Sequence, residues 1–130
     1  MAIQSVNLNF TNTFKGELVG PKGTVNVGSD QGSLAPYDML YGALASCLYA
    51  TFLGIAEKKR IGFESVKFEV SGEKREEVPT ILKWVKVKMV IKNAEKEKGL
   101  VQAAELGAKY CSIYHTLAQI ADMELIVEFE

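Results

Sequence analysis

The residues of this sequence best suited to nucleophilic or redox chemistry are two cysteines, Cys47 and Cys111, and the one histidine, His115. Two cysteines are too few for a structural zinc site, which usually takes four Cys or His ligands, and they do not form a C-x-x-C pair. A cysteine reacts as its thiolate, which needs positive charge, a helix N-terminus or a hydrogen-bond donor nearby. The surroundings of each cysteine therefore decide what it can do.

Cys47 lies in the middle of a stretch from Met39 to Ala56 that carries no charge. A lone cysteine in an apolar helix is more often a small hydrophobic core residue than a nucleophile. The stretch itself offers no charge or donor that would stabilise a thiolate. Taken alone, Cys47 is better explained as a core residue.

Cys111 has a more suggestive context. Ser112 can cap a short helix that follows it, which would place the Cys111 sulfur beside a helix N-terminus and its partial positive charge. His115 lies one helical turn further on and could supply a proton acceptor or a positive charge. The alternative is that His115 is a solvated or hydrogen-bonded structural residue, and without the second cysteine that alternative would be preferred.

The elements that must position these residues follow from the hydrophobic pattern. Alternation from Ile3 to about Gly28 predicts two or three short antiparallel strands, and residues 29–33 form a turn-rich linker. Pro36 opens a helix that is expected to run to about Lys59, because its fixed φ suits the first helical turn.

The second half of the sequence alternates again before and after a second helical region. Two long strands, one around Val66 to Val70 and one from Leu82 to Ile91, form a hairpin joined across Glu73 to Pro79. A helical region is expected over about residues 94–121, and Met123 to Glu130 ends the sequence on a strand. The pattern predicts one α+β domain over residues 1–130, with helices packed on a largely antiparallel sheet.

Composition limits the function classes. The sequence has 130 residues, 48% of them hydrophobic, and a net charge of -1, so it can bury a core and is not disordered. It lacks the basic patch that nucleic acid or an anionic membrane surface would require. Met1 to Ser5 resembles no secretion signal, so the cytoplasm, where thiols stay reduced, is the expected location.

The uncharged helix reaches the lower length for a membrane span. Its many Gly, Ala and Ser residues make it only weakly hydrophobic, and amphipathic strands on both sides favour a core helix instead. A helix that is apolar all round has to be buried all round, which one small domain does with difficulty. We therefore expect a symmetric homodimer with this helix near the interface and no membrane partner.

Both cysteine contexts resemble the OsmC/Ohr family of thiol-dependent peroxidases. Pro36 to Cys47 resembles its first cysteine motif, in which a Pro and acidic residues lead into an Ala/Gly-rich helix, and Tyr110 to Leu117 resembles its second, a Cys followed by Pro or Ser and ending in Thr-Leu. Lys22 to Val25 resembles a strand near the N-terminus of the family. The resemblance covers nearly the whole sequence.

The resemblance implies an intertwined dimer with active sites at the subunit interface and no metal or organic cofactor. Cys47 would attack an organic hydroperoxide and become a sulfenic acid, Cys111 would condense with it to a disulfide, and an external dithiol would reduce that disulfide. An apolar pocket around Cys47 would accept the tail of the peroxide. Its expected residues are Tyr41, Leu48 and Phe52.

The sequence departs from the peroxidases of the family at the charged residues. They pair the reactive cysteine with an Arg held by a Glu just after the Pro, where this sequence has Tyr37, with Asp38 as the nearest carboxylate. Neither Arg60 nor Arg75 lies in a matching context, and a lysine such as Lys15 or Lys22 lacks the bidentate fork of arginine. These departures indicate the OsmC-like branch, with Asp38 and His115 as expected supporting residues.

Two other functions compete with the peroxidase. An OsmC-like dimer that binds a small molecule without efficient peroxide turnover would give slow, unselective thiol oxidation and ligand-dependent thermal stabilisation. A disulfide-exchange protein is weaker, because there is no C-x-x-C pair.

Overall fold

Two three-stranded sheets and three helices make up the fold of the computed structural model, which describes residues 1–130. In chain order the elements are β1 (Asn7–Phe10), β2 (Lys15–Val19), β3 (Thr24–Gly28), α1 (Pro36–Lys59), β4 (Ser65–Lys74), β5 (Leu82–Lys92), α2 (Glu97–Tyr110), α3 (Ser112–Ala118) and β6 (Asp122–Phe129). The α+β class predicted from the sequence is confirmed. The chain divides into two units, Met1–Leu40 and Tyr41–Glu130, and the single domain expected from the sequence stays a prediction.

The first unit holds an antiparallel meander in the order β1-β2-β3, as the alternation predicted. Gly28 ends β3 at a φ of 155°, and a Cβ there would lie 2.7 Å from the carbonyl oxygen of Phe14. Only glycine fits so close an approach of two backbones. The helix α1 then begins at Pro36, as predicted, and the Asp38 carboxylate accepts a hydrogen bond from the backbone N–H of Ala35 at 2.8 Å.

The second unit is built on the sheet β4-β5-β6, in which β4 and β5 form the predicted antiparallel hairpin. Side chains alternate along β5, and those facing the helices, from Val85 to Ile91, are fully buried. The largely antiparallel arrangement expected is confirmed, and β6 is the one strand that runs parallel to its neighbour, β5. The reason is that α2 and α3 carry the chain back across the sheet before β6 begins, and such a crossover produces parallel neighbours.

The helix α1 buries only one side in this chain, through Leu44, Leu48, Phe52 and Ala56. Gly107 of α2 lies against it, since a Cβ there would come within 3.4 Å of the Phe52 backbone. By length and composition α1 is also long and apolar enough to cross a membrane, a test that core helices pass as well, and 22% of its most apolar window is buried. Much apolar surface of α1 is therefore left uncovered by the chain itself.

The predicted second helical region is interrupted at Cys111. This residue has φ −70° and ψ 117°, an extended conformation that ends α2 and begins α3. The N-cap of α3 is Cys111 itself, whose sulfur accepts a hydrogen bond from the backbone N–H of Tyr114 at 3.4 Å. The expectation that Ser112 is the cap is wrong: Ser112 is the first residue of the helix, because the sulfur already satisfies the donor that a serine cap would bond.

Candidate active site

The structure brings the two cysteines together, although 111 and 47 are far apart in the sequence. Cys47 comes from the middle of α1 and Cys111 from the junction of α2 and α3, and both are free thiols. The side chain of Cys111 is hydrogen-bonded to that of Cys47. Cys111 is fully buried, whereas Cys47 is half-buried. The more accessible of the two sulfurs therefore belongs to α1.

The beginning of α3 supplies the remaining polar contacts of Cys47. The backbone groups of Ser112 and Ile113 are hydrogen-bonded to its sulfur. The Ser112 hydroxyl oxygen lies 4.0 Å from the Cys47 sulfur. These N–H groups have no partner within the helix, because the first N–H groups of any α-helix point away from it. Cys47, from another helix, thus occupies the position where a helix end binds an anion.

The two thiols have pKa values shifted in opposite directions. Burial raises the pKa of the Cys47 thiol, but the hydrogen bonds from Ile113, Cys111 and Ser112 outweigh burial, so the pKa lies below its ordinary value. Burial raises the pKa of the Cys111 thiol, and the negative charge of Cys47 raises it further. Burial, together with the charge of Cys111, also raises the pKa of Tyr114.

The opposite shifts set the order in which the two thiols ionise. Cys47 loses its proton at a lower pH than Cys111, whose side chain is a hydrogen-bond partner of the Cys47 sulfur. A thiolate is the nucleophilic form of cysteine, and a second thiol within contact can attack an oxidised sulfur to form a disulfide. The arrangement suits two-step cysteine redox chemistry with Cys47 reacting first.

The two expected supporting residues lie outside this contact group. The Asp38 carboxylate is bonded to the Ala35 backbone at the beginning of α1, where it also complements the helix dipole. The side chain of His115 is exposed on α3, and its backbone N–H donates to the Cys111 carbonyl at 2.9 Å. Neither is hydrogen-bonded through its side chain to a cysteine sulfur, and their supporting roles stay predictions.

Of the three residues expected to form an apolar pocket, Leu48 and Phe52 lie against Gly107 of α2 and Tyr41 lies against β4. Leu48 and Phe52 are fully buried. The Tyr41 hydroxyl lies over Gly72 of β4, where an added Cβ would be 2.5 Å away. Within the chain these residues stabilise the packing of α1, and their part in a substrate pocket stays a prediction.

The arginines of the chain are not at the cysteines. Arg75 donates from its Nε to the Pro79 carbonyl at 3.0 Å and pairs with Glu77 at 3.2 Å, so its guanidinium is held within its own loop. Arg60 follows the last turn of α1, roughly 20 Å along the helix axis from Cys47. Lys15 forms an exposed ion pair with Asp30 at 3.8 Å. The main groups that lower the Cys47 pKa are hydrogen-bond donors.

Sequence reasoning missed how Cys47 is activated. It found no donor near Cys47 because the donors come from Ser112 and Ile113, which are remote in sequence. The residues after Cys111 do predict the beginning of a helix, which supplies these donors. The pattern does not predict that this beginning faces the cysteine of α1.

Known proteins resemble this chain over almost its full length. The family model described as OsmC-like protein matches residues 28–125. A hypothetical protein from Aquifex aeolicus has 25% identity and a TM-score of 0.90, covering 100% of this chain and 98% of the other. An OsmC-like protein from Mycoplasma pneumoniae has 14% identity and a TM-score of 0.87, with 98% and 97% covered.

The organic hydroperoxide resistance protein OhrB of Bacillus subtilis is also similar in fold. It has 14% identity and a TM-score of 0.68, with 98% of this chain and 100% of the other covered. No curated protein matches the sequence significantly. The family match spans well over half of the chain and includes both cysteines, so the chain belongs to the OsmC-like family.

Proposed function

We propose that the protein is a thiol-dependent peroxidase that reduces organic hydroperoxides in defence against oxidative stress. The observation that carries this proposal is that the side chains of Cys47 and Cys111 are in contact, with the pKa of the Cys47 thiol lowered and that of the Cys111 thiol raised. Membership of the OsmC-like family and the likeness to a protein named for organic hydroperoxide resistance support it.

The first step uses Cys47 as the nucleophile. Its thiolate attacks the terminal oxygen of the hydroperoxide, a sulfur–oxygen bond forms, and the oxygen–oxygen bond breaks. The leaving alkoxide takes up a proton and departs as the alcohol. Cys47 is oxidised to a sulfenic acid and the peroxide is reduced by two electrons.

The second step uses Cys111. Its sulfur attacks the Cys47 sulfur, the sulfur–oxygen bond breaks, and the departing hydroxide leaves as water with the Cys111 proton. An external dithiol then reduces the Cys47–Cys111 disulfide and is itself oxidised to a disulfide. The hydrogen bond that already joins the two side chains means that the second step needs little rearrangement.

We also propose a homodimer as the working unit. The uncovered apolar surface of α1 supports it, because large exposed apolar patches on a soluble chain mark contact sites. A surface cavity of about 300 Å³ continues this surface between α1 and β4. It is lined by Gly42, Ala45, Ser46, Tyr49, Val66 and Phe68. A partner there would also shield a site for a neutral, apolar peroxide.

The cytoplasm is the location we propose. Both cysteines are free, and the peroxidase cycle returns them to thiols only where a dithiol reductant is maintained.

Titration of the reduced protein with cumene hydroperoxide tests the function. One equivalent is expected to consume both thiols and produce an intramolecular Cys47–Cys111 disulfide, found by peptide mapping, together with one equivalent of the alcohol. Cys47→Ser is expected to produce no alcohol. Equal alcohol production by Cys47→Ser and the unchanged protein would refute the proposal.

A second candidate is a small-molecule-binding dimer of the same fold. It is favoured by the position of Arg60 and Arg75 away from Cys47, because the peroxidases that the sequence resembles use an arginine at this point. This function predicts slow thiol oxidation without selectivity between cumene hydroperoxide and hydrogen peroxide. The rates of alcohol release from the two peroxides therefore separate the candidates.

A further inference from the structure

The Ser112 side chain is the one hydroxyl group in contact with the Cys47 sulfur. Its oxygen lies 4.0 Å from that sulfur, and the residue is exposed at the first position of α3. Its hydroxyl is not bonded within α3, since the Thr116 hydroxyl donates to the backbone carbonyl of Ser112 and not to its side chain. The hydroxyl is therefore available to the sulfur.

The other hydroxyls near Cys47 are used differently. Ser46, its neighbour in sequence, donates to the Gly42 carbonyl at 2.8 Å, which is a bond within its own helix. Thr51 donates to the Cys47 backbone carbonyl at 3.1 Å and not to the sulfur. Being close to Cys47 in the sequence thus does not bring a hydroxyl to its sulfur, whereas the place of Ser112 at the beginning of α3 does.

We infer that the Ser112 hydroxyl is one of the groups that stabilise a Cys47 thiolate in this chain, by donating a hydrogen bond to the Cys47 sulfur 4.0 Å away. A neutral hydroxyl favours the negative form of the sulfur by donating to it, without adding a second charge to a partly buried site. A proline at this position, the alternative in the motif, would offer neither the hydroxyl nor the N–H. The serine supplies both.

The lowered pKa of Cys47 agrees with this role, since both the side chain and the backbone of Ser112 contribute to it. The titratable group facing Cys47 is Cys111, with Tyr114 behind it, and both have raised pKa values. Cys47 therefore ionises at a lower pH than either of them. The change in Cys47 reactivity with pH therefore reports on Cys47 itself.

The inference depends on the proposed function for its part in turnover, but the state of the thiolate can be measured without a peroxide. Iodoacetamide reacts with thiolates, and peptide mapping reads Cys47 separately from Cys111. In Ser112→Ala the Cys47 alkylation rate at pH 7 is expected to fall about threefold to tenfold, the loss of one long hydrogen bond of ordinary strength. At a pH high enough to ionise Cys47 fully, the rate is expected to match the unchanged protein.

Two further variants make the test specific. Ser112→Thr keeps the hydroxyl and is expected to keep the alkylation rate at pH 7. Thr51→Ala removes a hydroxyl that is bonded to the Cys47 backbone carbonyl within α1 and is expected to leave the rate unchanged. The inference is overturned if Ser112→Ala alkylates at the rate of the unchanged protein at pH 7, or if Thr51→Ala slows alkylation equally.

Failure of the peroxidase proposal is distinguishable from failure of this inference. A protein that releases no alcohol from cumene hydroperoxide, yet loses Cys47 alkylation in Ser112→Ala, is not a peroxidase but has its thiolate stabilised by Ser112. A protein that does release alcohol, with identical alkylation in Ser112→Ala and the unchanged chain, is a peroxidase whose thiolate does not depend on Ser112.

Discussion

Cys47 and Cys111 are the same kind of residue and are joined by a hydrogen bond, yet their thiol pKa values are shifted in opposite directions from the ordinary value. Cys47 is half-buried in the middle of a long apolar helix, while Cys111 is fully buried at the break between two shorter ones. The cysteine in the less polar sequence is the one that ionises more easily.

The pKa of each cysteine thus depends on the hydrogen-bond donors that face its sulfur more than on the sequence of the helix that carries it. The N-terminus of α3 directs its backbone groups at the Cys47 sulfur, although Cys111 is the residue from which α3 begins. Cys111 receives the Tyr114 N–H, but full burial and the neighbouring negative charge dominate its pKa. One helix end thus lowers the pKa of the cysteine that faces it, while burial raises the pKa of the cysteine from which the helix begins.

Oxidation of single-cysteine variants is expected to show the largest difference between Cys47 and Cys111. Cys111→Ser is expected to react with one equivalent of cumene hydroperoxide and stop at a Cys47 sulfenic acid, because no second thiol is present to form a disulfide. Labelling with dimedone and mass spectrometry detect this adduct. Cys47→Ser is expected to give no adduct at Cys111, and a comparable yield from both variants would contradict the assignment of roles.

Alkylation of the reduced protein tests the same asymmetry without oxidation. At pH 7 Cys47 is expected to react with iodoacetamide at least about tenfold faster than Cys111, since its pKa is the lower of the two and Cys111 is fully buried. The Cys47 rate is expected to fall as the pH is lowered through the pKa of its thiol, which lies below the ordinary value. Peptide mapping at a series of pH values measures both rates.

The control for this prediction is the unfolded chain. In denaturant both cysteines lose their donors and their burial, so their alkylation rates are expected to converge. Equal rates in the folded protein as well would show that the structure does not distinguish the two thiols.

From the sequence, the helices and strands around this site could be predicted better than the chemistry of the site. The beginning and end of α1, the hairpin and the final strand all follow from residue spacing, because each pattern records which side of a local element is buried. The sequence predicts one helical region across Cys111, since the residues around it keep helical spacing. A single residue in extended conformation does not change that spacing.

The activation of Cys47 could not be predicted because it is a contact between remote segments. Pattern reasoning assigned the helix start to the neighbourhood of Cys111, where it does lie, but a pattern says nothing about which side chain of another element faces it. The parallel pairing of β6 with β5 escaped prediction for the same reason. Strand direction in a sheet is set by the path of the connecting helices.

A smaller effect is expected at the Cys111 cap. In Cys111→Ala the Tyr114 N–H loses the sulfur that accepts its hydrogen bond, so protection of this amide against hydrogen exchange is expected to fall about fivefold, or ~1 kcal/mol. Cys111→Ser retains an acceptor and is expected to retain most of the protection. Exchange followed by NMR also shows whether the amide of Ala104 in α2 stays unchanged, and equal loss in α2 and α3 would contradict a local cap.

The last prediction compares the ends of α1 and α2. The extended Cys111 ends α2, whereas Arg60, the residue that follows α1, has a φ of 57°, in the left-handed region that favours glycine. Arg60 N–H donates to the Glu57 carbonyl at 3.0 Å and Ile61 N–H to the Ala56 carbonyl at 3.1 Å, the paired bonds of a Schellman motif. Arg60→Gly removes the steric cost of a Cβ in this conformation and is expected to stabilise the fold by about 0.5–1 kcal/mol.

Arg60→Ala is the matched control, because it removes the same charged side chain but keeps the Cβ in the left-handed conformation. It is expected to give no gain in the free energy of unfolding. Urea unfolding of the three proteins, at one fixed protein concentration so that any association contributes equally, measures the differences. If Arg60→Gly is no more stable than Arg60→Ala, then the left-handed residue after α1 carries no steric cost. The different backbone conformations at the ends of α1 and α2 would then make no difference to stability.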